Sequence, residues 1–266
     1  QSDTSLKKTV LGRVCKDRIV PLKYKKKKLF TVAFNLLGMF RKIYWSATSE
    51  MEISEICQQV WAKKEQFYIA EDLPRKVDET PIMKKEQGCL DVVWISRIAP
   101  KKNLKAAIEI LKNVKANINF TIYGPIHDQE YWNECKIELE KLPSNIKWQY
   151  RGNVESEEVI EKLKLHHVFL FPTLGENYGH VIQEALSAGC PCILSDQTPW
   201  QDLEENGVGF VYSLSDLSEF SKKVDQYARM DEQEWKSIIG NTQRYAIENS
   251  NKKVETTGYR TIFDTL

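Results

Sequence analysis

The chain has 266 residues, a formal net charge of +1 at pH 7 and an apolar fraction of 42%. This composition is typical of a globular protein and excludes an intrinsically disordered one. No apolar run approaches the roughly 18 residues that a membrane-spanning helix needs, and the polar opening QSDTSLKKTV is unlike a secretory signal peptide. Six cysteines without C-x-x-C spacing favour reduced thiols over disulfides or a metal site. We therefore expect a cytoplasmic protein.

Positive charge is concentrated at the start of the chain. Residues 1–42 contain twelve Lys or Arg against two Asp, which gives them a net charge of +10 and leaves −9 for the remainder. This asymmetry favours an anionic partner. The run from Lys25 to Lys42 predicts a helix with an apolar stripe. The lysines from Lys25 to Lys28 favour peripheral contact with lipid head groups at the inner membrane surface. The alternative is a buried helix whose lysines are solvated, and we expect no nucleic-acid partner.

Three short elements and a linker follow this helix. They are predicted to be a strand, a helix and a strand, at residues 43–47, 48–64 and 67–70. The stretch from Glu71 to Gln87 has two prolines and mixed charges, and it is the best candidate for a linker between domains. We therefore divide the chain into a first region, residues 1–87, and a second domain, residues 88–266.

Strands and helices alternate from residue 90 onward. Strands are predicted at residues 90–96, 118–123, 146–150, 167–171, 191–195 and 208–212. Helices are predicted between them at residues 103–114, 129–141, 155–165, 180–188 and 199–205, and then at 215–229, 231–248 and 251–265. Alternation of this kind indicates an α/β fold with a mostly parallel, doubly wound sheet.

Residues 168–194 combine a strand, a loop, a helix and a second strand. Glu176 lies in the loop, and Glu184 lies one helical turn after His180, so that these two side chains share a helix face. Gly179 precedes the helix and allows the backbone to approach a ligand closely. The first amide groups of the helix form an anion site. The loop suits a phosphorylated sugar, although an ordinary Rossmann-like turn with two surface glutamates fits the spacing equally well.

The same stretch resembles the E-x7-E signature of retaining glycosyltransferases of family 4, which have the GT-B architecture. Seven residues separate Glu176 from Glu184, and Pro172 and Gly179 also match the pattern. The resemblance implies that the second domain is a C-terminal donor-binding domain with a Rossmann-like fold. Residues 1–87 resemble only the later part of the N-terminal, acceptor-side domain, because the early strands and the glycine loop of that domain have no counterpart here.

The resemblance also implies roles for individual residues. Arg97 and Lys102 match the family's pair of cations that bind the donor diphosphate, and the chain has no Asp-x-Asp metal motif. Glu176 would hold hydroxyls of the transferred sugar, and Glu184 would hold the ribose hydroxyls. The other implied donor-binding positions are steric clearance at Gly124, amides at Gly179, His180 and Val181, and base contacts at Asn153 and Val154.

These inferences predict an enzyme, a glycosyltransferase of the hexosyltransferase type that acts with retention and without a metal or another cofactor. Its donor would be a UDP- or GDP-linked sugar. Its acceptor would be a saccharide or a lipid-linked glycan, as in polysaccharide biosynthesis. Two alternatives stay open: a GT-B sugar-nucleotide epimerase, and a nucleotide-sugar-binding fragment without activity.

Overall fold

The computed structural model describes residues 25–41, 43–47, 50–69 and 84–256. These residues fall into two compact units, one within Gln1–Leu73 and Lys253–Leu266 and the other within Pro74–Lys252. Most of the predicted linker lies outside the described residues, so the predicted domain boundary at residue 87 stays a prediction.

In the part of Gln1–Leu73 that the structure describes, the first unit has two α-helices, a short 3-10 helix at Lys64–Gln66 and a two-stranded parallel sheet. Its elements are α1 at Lys25–Leu36, β1 at Trp45–Ala47, α2 at Glu50–Cys57 and β2 at Phe67–Ile69. Its core is a small cluster of buried side chains, formed by Trp45, Ala47, Ile56 and Val60. The two predicted strands are present, with β1 beginning two residues later than predicted, whereas Ala70, the last residue predicted for β2, lies outside the described residues.

Both helices of the first unit also end earlier than predicted. α1 stops before Lys42 because Gly38 takes a left-handed conformation, with a φ of 64°. α2 stops before Lys64 because the next segment is bound to α1, where Oδ1 of Asn35 accepts a hydrogen bond from N of Trp61 at 2.8 Å. Tertiary contacts, rather than helix propensity, set these ends.

The second unit is a six-stranded sheet with helices between the strands. Its strands are β3 at Cys89–Ile95, β4 at Asn117–Tyr123, β5 at Ile146–Tyr150, β6 at Val168–Phe171, β7 at Cys192–Ser195 and β8 at Gly209–Tyr212. Its helices are α3 at Leu104–Lys112, α4 at Gln129–Leu139, α5 at Val159–Leu163, α6 at His180–Ser187, α7 at Leu217–Arg229 and α8 at Glu232–Thr256. The strand order is β5-β4-β3-β6-β7-β8, and all neighbours are parallel. The predicted α/β fold class with a doubly wound parallel sheet is confirmed.

The strands form because they are apolar runs that the helices bury. Every residue of β6 and of β7 is buried, as expected for inner strands of a parallel sheet. Large side chains that are fully buried in β3, β4 and β6 include Trp94, Phe120, Phe169 and Phe171. Helix α4 begins where Oδ1 of Asp128 accepts a hydrogen bond from N of Tyr131 at 3.0 Å, which satisfies a backbone amide of the first turn.

A buried lysine binds the segment before β3 to the end of α7. The Lys85 ammonium donates hydrogen bonds to the carbonyl oxygens of Glu86, Cys89 and Ala228 at 2.8, 2.8 and 2.9 Å. The N–H of Gly88 also donates to Ala228 O, at 2.8 Å. Burial lowers the pKa of Lys85, and the three carbonyl oxygens replace the water that the ammonium has lost.

The helix predicted at residues 199–205 is wrong, since this segment forms turns. Nε1 of Trp200 donates a hydrogen bond to Tyr178 O at 2.7 Å, and the backbone of Gly207 is left-handed with a φ of 65°. Because Trp200 is bound to Tyr178 at one end and the left-handed Gly207 ends the turns at the other, too few residues remain between them for a regular helix.

Two further helix predictions differ in extent. The helices predicted at 231–248 and 251–265 are a single helix, α8, as far as the described residues reach. Oγ of Ser250 donates to Ala246 O at 2.7 Å, so the polar segment between the two predictions stays within the helix. The helix predicted at 155–165 is shorter, because its first residues form turns ahead of α5.

His166 follows α5 and is partly buried. Its Nδ1 lies 2.7 Å from Lys162 O, and its ring packs edge-on against Tyr123 with 6.0 Å between the ring centroids. Burial lowers the pKa of His166 below its usual range, although the hydrogen bond to Lys162 opposes this shift.

We expect His166 to make the protein less stable in mild acid. The unfolded chain protonates this imidazole below a pKa of about 6.5, whereas the folded chain resists protonation, so the free energy of unfolding falls as the pH drops through this range. His166→Gln removes this contribution and flattens the loss of stability between pH 7.5 and 5.5, measured by urea unfolding. The exposed His127 provides the control, since His127→Gln leaves the wild-type pH dependence intact. Identical pH dependence in the wild type and His166→Gln would contradict the assignment.

Candidate functional site

A crevice lies where the strand order reverses. From β3 the chain proceeds through β4 to β5 on one side of the sheet, whereas β6 leads to β7 and β8 on the other side. Ligands of open α/β sheets bind at the carboxyl ends of the strands that flank such a reversal. The loop after β3 carries Arg97 and Lys102, and the loop after β6 carries Glu176.

Three hydrogen bonds join these two loops. Asn103 has a left-handed backbone with a φ of 54°, and its Nδ2 donates to Pro172 O at 2.9 Å. Lys101 O accepts hydrogen bonds from N of Leu174 at 3.0 Å and from Oγ1 of Thr173 at 3.2 Å. Each loop therefore determines the conformation of the other.

This arrangement brings Lys102 and Glu176 together as an ion pair across the crevice. Their side chains are only 14% and 12% exposed, so water screens the attraction less than it does at an open surface. N of Glu176 donates to Gln197 O at 3.0 Å, which binds the loop to the segment after β7. Two of the predicted site residues are thus in direct contact.

Arg97 lies in the same loop and has an exposed side chain. The residues on either side of it are bound to the end of β4, because N of Ser96 donates to Tyr123 O at 3.2 Å and N of Ile98 donates to Pro125 O at 2.9 Å. The guanidinium group therefore extends from a well-anchored backbone at the carboxyl edge of the sheet.

Helix α6 begins at His180, as predicted, after Gly179 at its N-cap. Gly179 has a φ of 83°, and a Cβ atom there would lie 2.7 Å from Cδ1 of Ile182. His180 is exposed, and its ring packs against Tyr178 at a tilt of 50° with 4.8 Å between ring centroids. His180 and Val181 occupy the first turn, where backbone amides point toward the carboxyl edge of the sheet. Glu184 is partly buried one turn further along the helix.

Gly124 lies where the ends of β3 and β4 come closest. Its φ is 132°, and a Cβ atom at this position would lie 1.8 Å from Ser96 O. N of Gly124 donates to Gly152 O at 2.8 Å, and the hydroxyl of Tyr150 donates to Gly124 O at 2.8 Å. The structure shows that Gly124 allows the backbone to approach the Ser96 carbonyl closely, which leaves room for no other residue, and the predicted clearance for a donor nucleotide stays a prediction.

Asn153 and Val154 follow β5, at the same edge of the sheet. They line an open groove of about 480 Å³ together with Tyr123, Arg151 and His166 among others. Asn153 is exposed and donates from Nδ2 to Oε1 of Glu155 at 3.0 Å, and Val154 packs against the core. The structure therefore separates these two residues from the Lys102–Glu176 pair by the width of β4 and β3.

Several residues that hold the site were missed in the sequence. Thr173 and Ser195 are fully buried, and Oγ of Ser195 donates to Thr173 O at 2.6 Å. Ser195 is the last residue of the apolar strand β7, and Thr173 follows the apolar strand β6 after Pro172. A small polar residue at the carboxyl end of an apolar strand is therefore a signal that can be read in a sequence. Asn103 and Tyr150 bond to backbone oxygens, and such partners leave no trace in a sequence.

Over the described ranges, no group of three or more His, Cys, Asp or Glu side chains is arranged to hold a metal ion. Within the same residues, no helix combines the length and the apolar character needed to cross a membrane. The cysteines described are free thiols, at positions Cys57, Cys89, Cys135, Cys190 and Cys192.

We expect Gly124→Ala to destabilise the second unit strongly. The Cβ atom of the alanine would overlap the Ser96 carbonyl, and the alanine backbone would have to adopt an unfavourable φ. Together these effects lower the free energy of unfolding by about 3 kcal/mol. Gly240→Ala is the matched control, because Gly240 lies inside α8 with nothing within 4 Å of the added atom. This control gains about 0.5–1 kcal/mol from helix propensity. Urea unfolding measures both, and equal stability of Gly124→Ala and the wild type would show that the two strand ends separate at no cost.

Solved structures with similar folds include Anabaena Alr3699/HepE in complex with UDP and glucose, with a TM-score of 0.67, 16% identity and coverage of 93% of this chain and 69% of that one. WaaG, a glycosyltransferase involved in lipopolysaccharide biosynthesis, has a TM-score of 0.62 and 14% identity, with coverage of 91% of this chain and 67% of that one. At these identities the likeness concerns the fold, and it agrees with the predicted fold class.

Comparison of the sequence with known proteins gives a relative and a family. Over 173 residues the chain is 26% identical to sulfoquinovosyl transferase SQD2 of Arabidopsis thaliana, a match that spans 64% of this chain but only 32% of that protein. The chain thus corresponds to less than half of the length of this relative. Residues 80–252 match the family described as Glycosyl transferases group 1. Since this match covers more than half of the chain, the protein belongs to the group 1 glycosyl transferases.

Proposed function

We propose that this chain is the donor-binding part of a retaining glycosyltransferase that uses a nucleoside-diphospho-sugar without a metal ion. The observation that carries the proposal is the Lys102–Glu176 pair at the reversal of strand order. A nucleoside-diphospho-sugar needs cations for its diphosphate and a carboxylate for its sugar hydroxyls. The crevice places one of each in contact.

The leaving group of such a reaction is a nucleoside diphosphate, whose negative charge grows as the glycosidic bond breaks. In the proposed mechanism Arg97 and Lys102 stabilise that charge, together with the amides of the first turn of α6 at His180 and Val181. The backbone segments that carry these groups are held by hydrogen bonds before any substrate arrives, so the loops need little reorganisation during the reaction. Fixed cations then supply the stabilisation that other glycosyltransferases obtain from a metal.

The carboxylates orient the donor. Glu176 accepts hydrogen bonds from hydroxyls of the transferred sugar, and Glu184 accepts them from the ribose. As the bond between the anomeric carbon and the diphosphate oxygen breaks through an oxocarbenium-like state, the acceptor hydroxyl bonds to that carbon on the same face and its proton passes to the departing diphosphate, so the anomeric configuration is retained. Gly124, Asn153 and Val154 border the position of the base, where recognition by backbone groups is proposed.

For the donor we propose a UDP-linked sugar first, with a GDP-linked sugar as the alternative. UDP is favoured because a protein of similar fold was solved with UDP and glucose. For the acceptor we propose a saccharide or a lipid-linked glycan, because another protein of similar fold acts in lipopolysaccharide biosynthesis. An epimerase would convert the donor without any acceptor, and a binding module would bind the donor without turnover.

Titration calorimetry tests the donor site. We expect UDP or GDP to bind the wild-type chain equally well with and without Mg²⁺. Arg97→Ala and Glu184→Ala each remove charged hydrogen bonds and weaken this binding by roughly 10- to 100-fold. The exposed residues Arg244 and Glu248 provide matched controls, and alanine at either position leaves the affinity unchanged. If both site variants bind the nucleotide as tightly as the wild type does, the site assignment is wrong. If the wild type binds the nucleotide only with Mg²⁺, the metal-independent mechanism is wrong.

We also propose that the first unit contacts the inner membrane surface through Lys25 to Lys28. These lysines begin α1, and the later part of α1 and the following turn expose apolar side chains, at Val32, Leu36, Leu37 and Met39. Cations beside exposed apolar residues are the pattern of helices that lie at the interface of an anionic membrane. Such a contact would bring the chain to the membrane in which a lipid-linked acceptor resides.

Vesicle sedimentation tests the membrane contact. Replacing Lys25 to Lys28 by Gln weakens binding to vesicles of phosphatidylglycerol and phosphatidylcholine at low salt by at least about tenfold, because each lysine near such a surface contributes on the order of 1 kcal/mol. Added salt weakens the binding of the wild type in the same direction. The control replaces four exposed lysines of the second unit, at Lys136, Lys141, Lys222 and Lys236. If both variants bind the vesicles equally, the lysines of α1 are only solvated.

A further inference from the structure

The Glu176 carboxylate has both of its side-chain contacts on one oxygen. Oε1 pairs with the Lys102 ammonium and lies 3.3 Å from Oγ1 of Thr173. Among the described residues, no hydrogen bond to Oε2 is found. One oxygen of this carboxylate is therefore committed to the protein, and the other faces away from those contacts.

In the proposed site, two anions would bind the single ammonium group of Lys102: the Glu176 carboxylate and the donor diphosphate. Its side chain is mostly buried against Glu176 and the ring of Phe171, so a diphosphate that binds Lys102 must compete with the carboxylate. Bringing the diphosphate beside Glu176 also places like charges together, which raises the free energy of that state.

We propose that Glu176 and the donor diphosphate exchange places on Lys102, so that phosphate binding releases the carboxylate for the hydroxyls of the sugar. This inference rests on the proposed donor site. Before the exchange the Lys102 ammonium and the Glu176 carboxylate are paired with each other. Afterwards the ammonium binds the diphosphate of the donor, and the carboxylate binds hydroxyls of its sugar. Binding of the diphosphate and binding of the sugar therefore favour each other.

Thr173 keeps the released carboxylate in place. This residue is fully buried, and its own carbonyl is held by Ser195 at 2.6 Å. The Thr173 hydroxyl has a single proton and lies within reach of three acceptors, Lys101 O at 3.2 Å, Oε1 of Glu176 at 3.3 Å and Gly175 O at 3.5 Å. When Lys102 leaves, the proton can turn fully to the carboxylate, so Thr173 is a positioning residue for Glu176.

The exchange determines which ligand the crevice prefers. A nucleoside diphosphate without a sugar takes Lys102 but leaves the Glu176 charge without a partner, and an unpaired charge in a partly buried site is costly. An intact nucleotide sugar supplies hydroxyls for that charge. The site therefore discriminates against the nucleoside diphosphate, which is also the product that must leave after transfer.

The test measures the affinity of UDP by ligand-observed NMR, which reaches millimolar dissociation constants, with GDP as the second probe. Glu176→Gln removes the competing charge and raises the affinity for the nucleotide by about three- to tenfold. The matched control is Glu134→Gln, which breaks another close ion pair, with Lys105 on the exposed surface, and leaves the affinity unchanged. An unchanged or lower affinity of Glu176→Gln overturns the inference. Failure of the wild type to bind either nucleotide overturns the proposed function instead.

A second comparison separates competition from simple charge repulsion. In a Lys102→Ala background, competition for the ammonium no longer exists and only the repulsion between Glu176 and the diphosphate remains, so Glu176→Gln gives a smaller gain in nucleotide affinity than it gives in the wild type. Plain repulsion between Glu176 and the diphosphate would give the same gain in both backgrounds, and that result would contradict the exchange. Thr173→Val weakens binding of UDP-glucose relative to UDP, whereas Thr173→Ser restores it. A loss that affects both ligands equally would exclude the positioning role.

Discussion

The reversal of strand order between β3 and β6 is the constraint on which the candidate site depends. Because the connections from these strands run to opposite sides of the sheet, neither covers the crevice at their carboxyl ends. The loops beside it carry Arg97, Lys102 and Glu176. Lys102 and Glu176 are 74 positions apart in sequence, and they meet because β3 and β6 are hydrogen-bonded neighbours. The order of the strands thus creates the charge pair on which the proposed binding of the donor rests.

Buried polar groups convert this juxtaposition into a defined geometry. Asn103, Thr173 and Ser195 each bond to a backbone oxygen in or beside the crevice, and Tyr150 does the same beneath Gly124. Breaking such a bond inside the protein is costly, because the polar group left behind loses its partner. These bonds hold the backbone of the loops that carry the candidate site. That backbone would need little rearrangement when a ligand binds, even where side chains change partners.

Much of the second unit was predictable, because its strands are apolar runs and each lies between recognisable turns. Gly189 follows α6 with a left-handed φ of 74°, which is the conformation in which a glycine commonly ends a helix. The failures arose where a distant contact decides the local structure, as when Trp200 binds the Tyr178 carbonyl and prevents a helix. The sequence also placed Lys102 and Glu176 at one site by family resemblance. Their direct contact, and the role of Thr173 beside them, depend on loop conformations that no periodicity encodes.

The ring of carbonyl oxygens around the Lys85 ammonium has a consequence for the order of folding. Lys85 precedes the first strand of the sheet, yet Ala228, one of its three partners, lies 143 positions later. During synthesis the segment before β3 emerges long before α7 exists, and its lysine must stay in water until that helix arrives. Closing so long a loop is entropically costly and slow. The first strand of this sheet is therefore completed by a helix that leaves the ribosome much later, and a chain truncated before residue 228 lacks the partner that allows its entry segment to be buried.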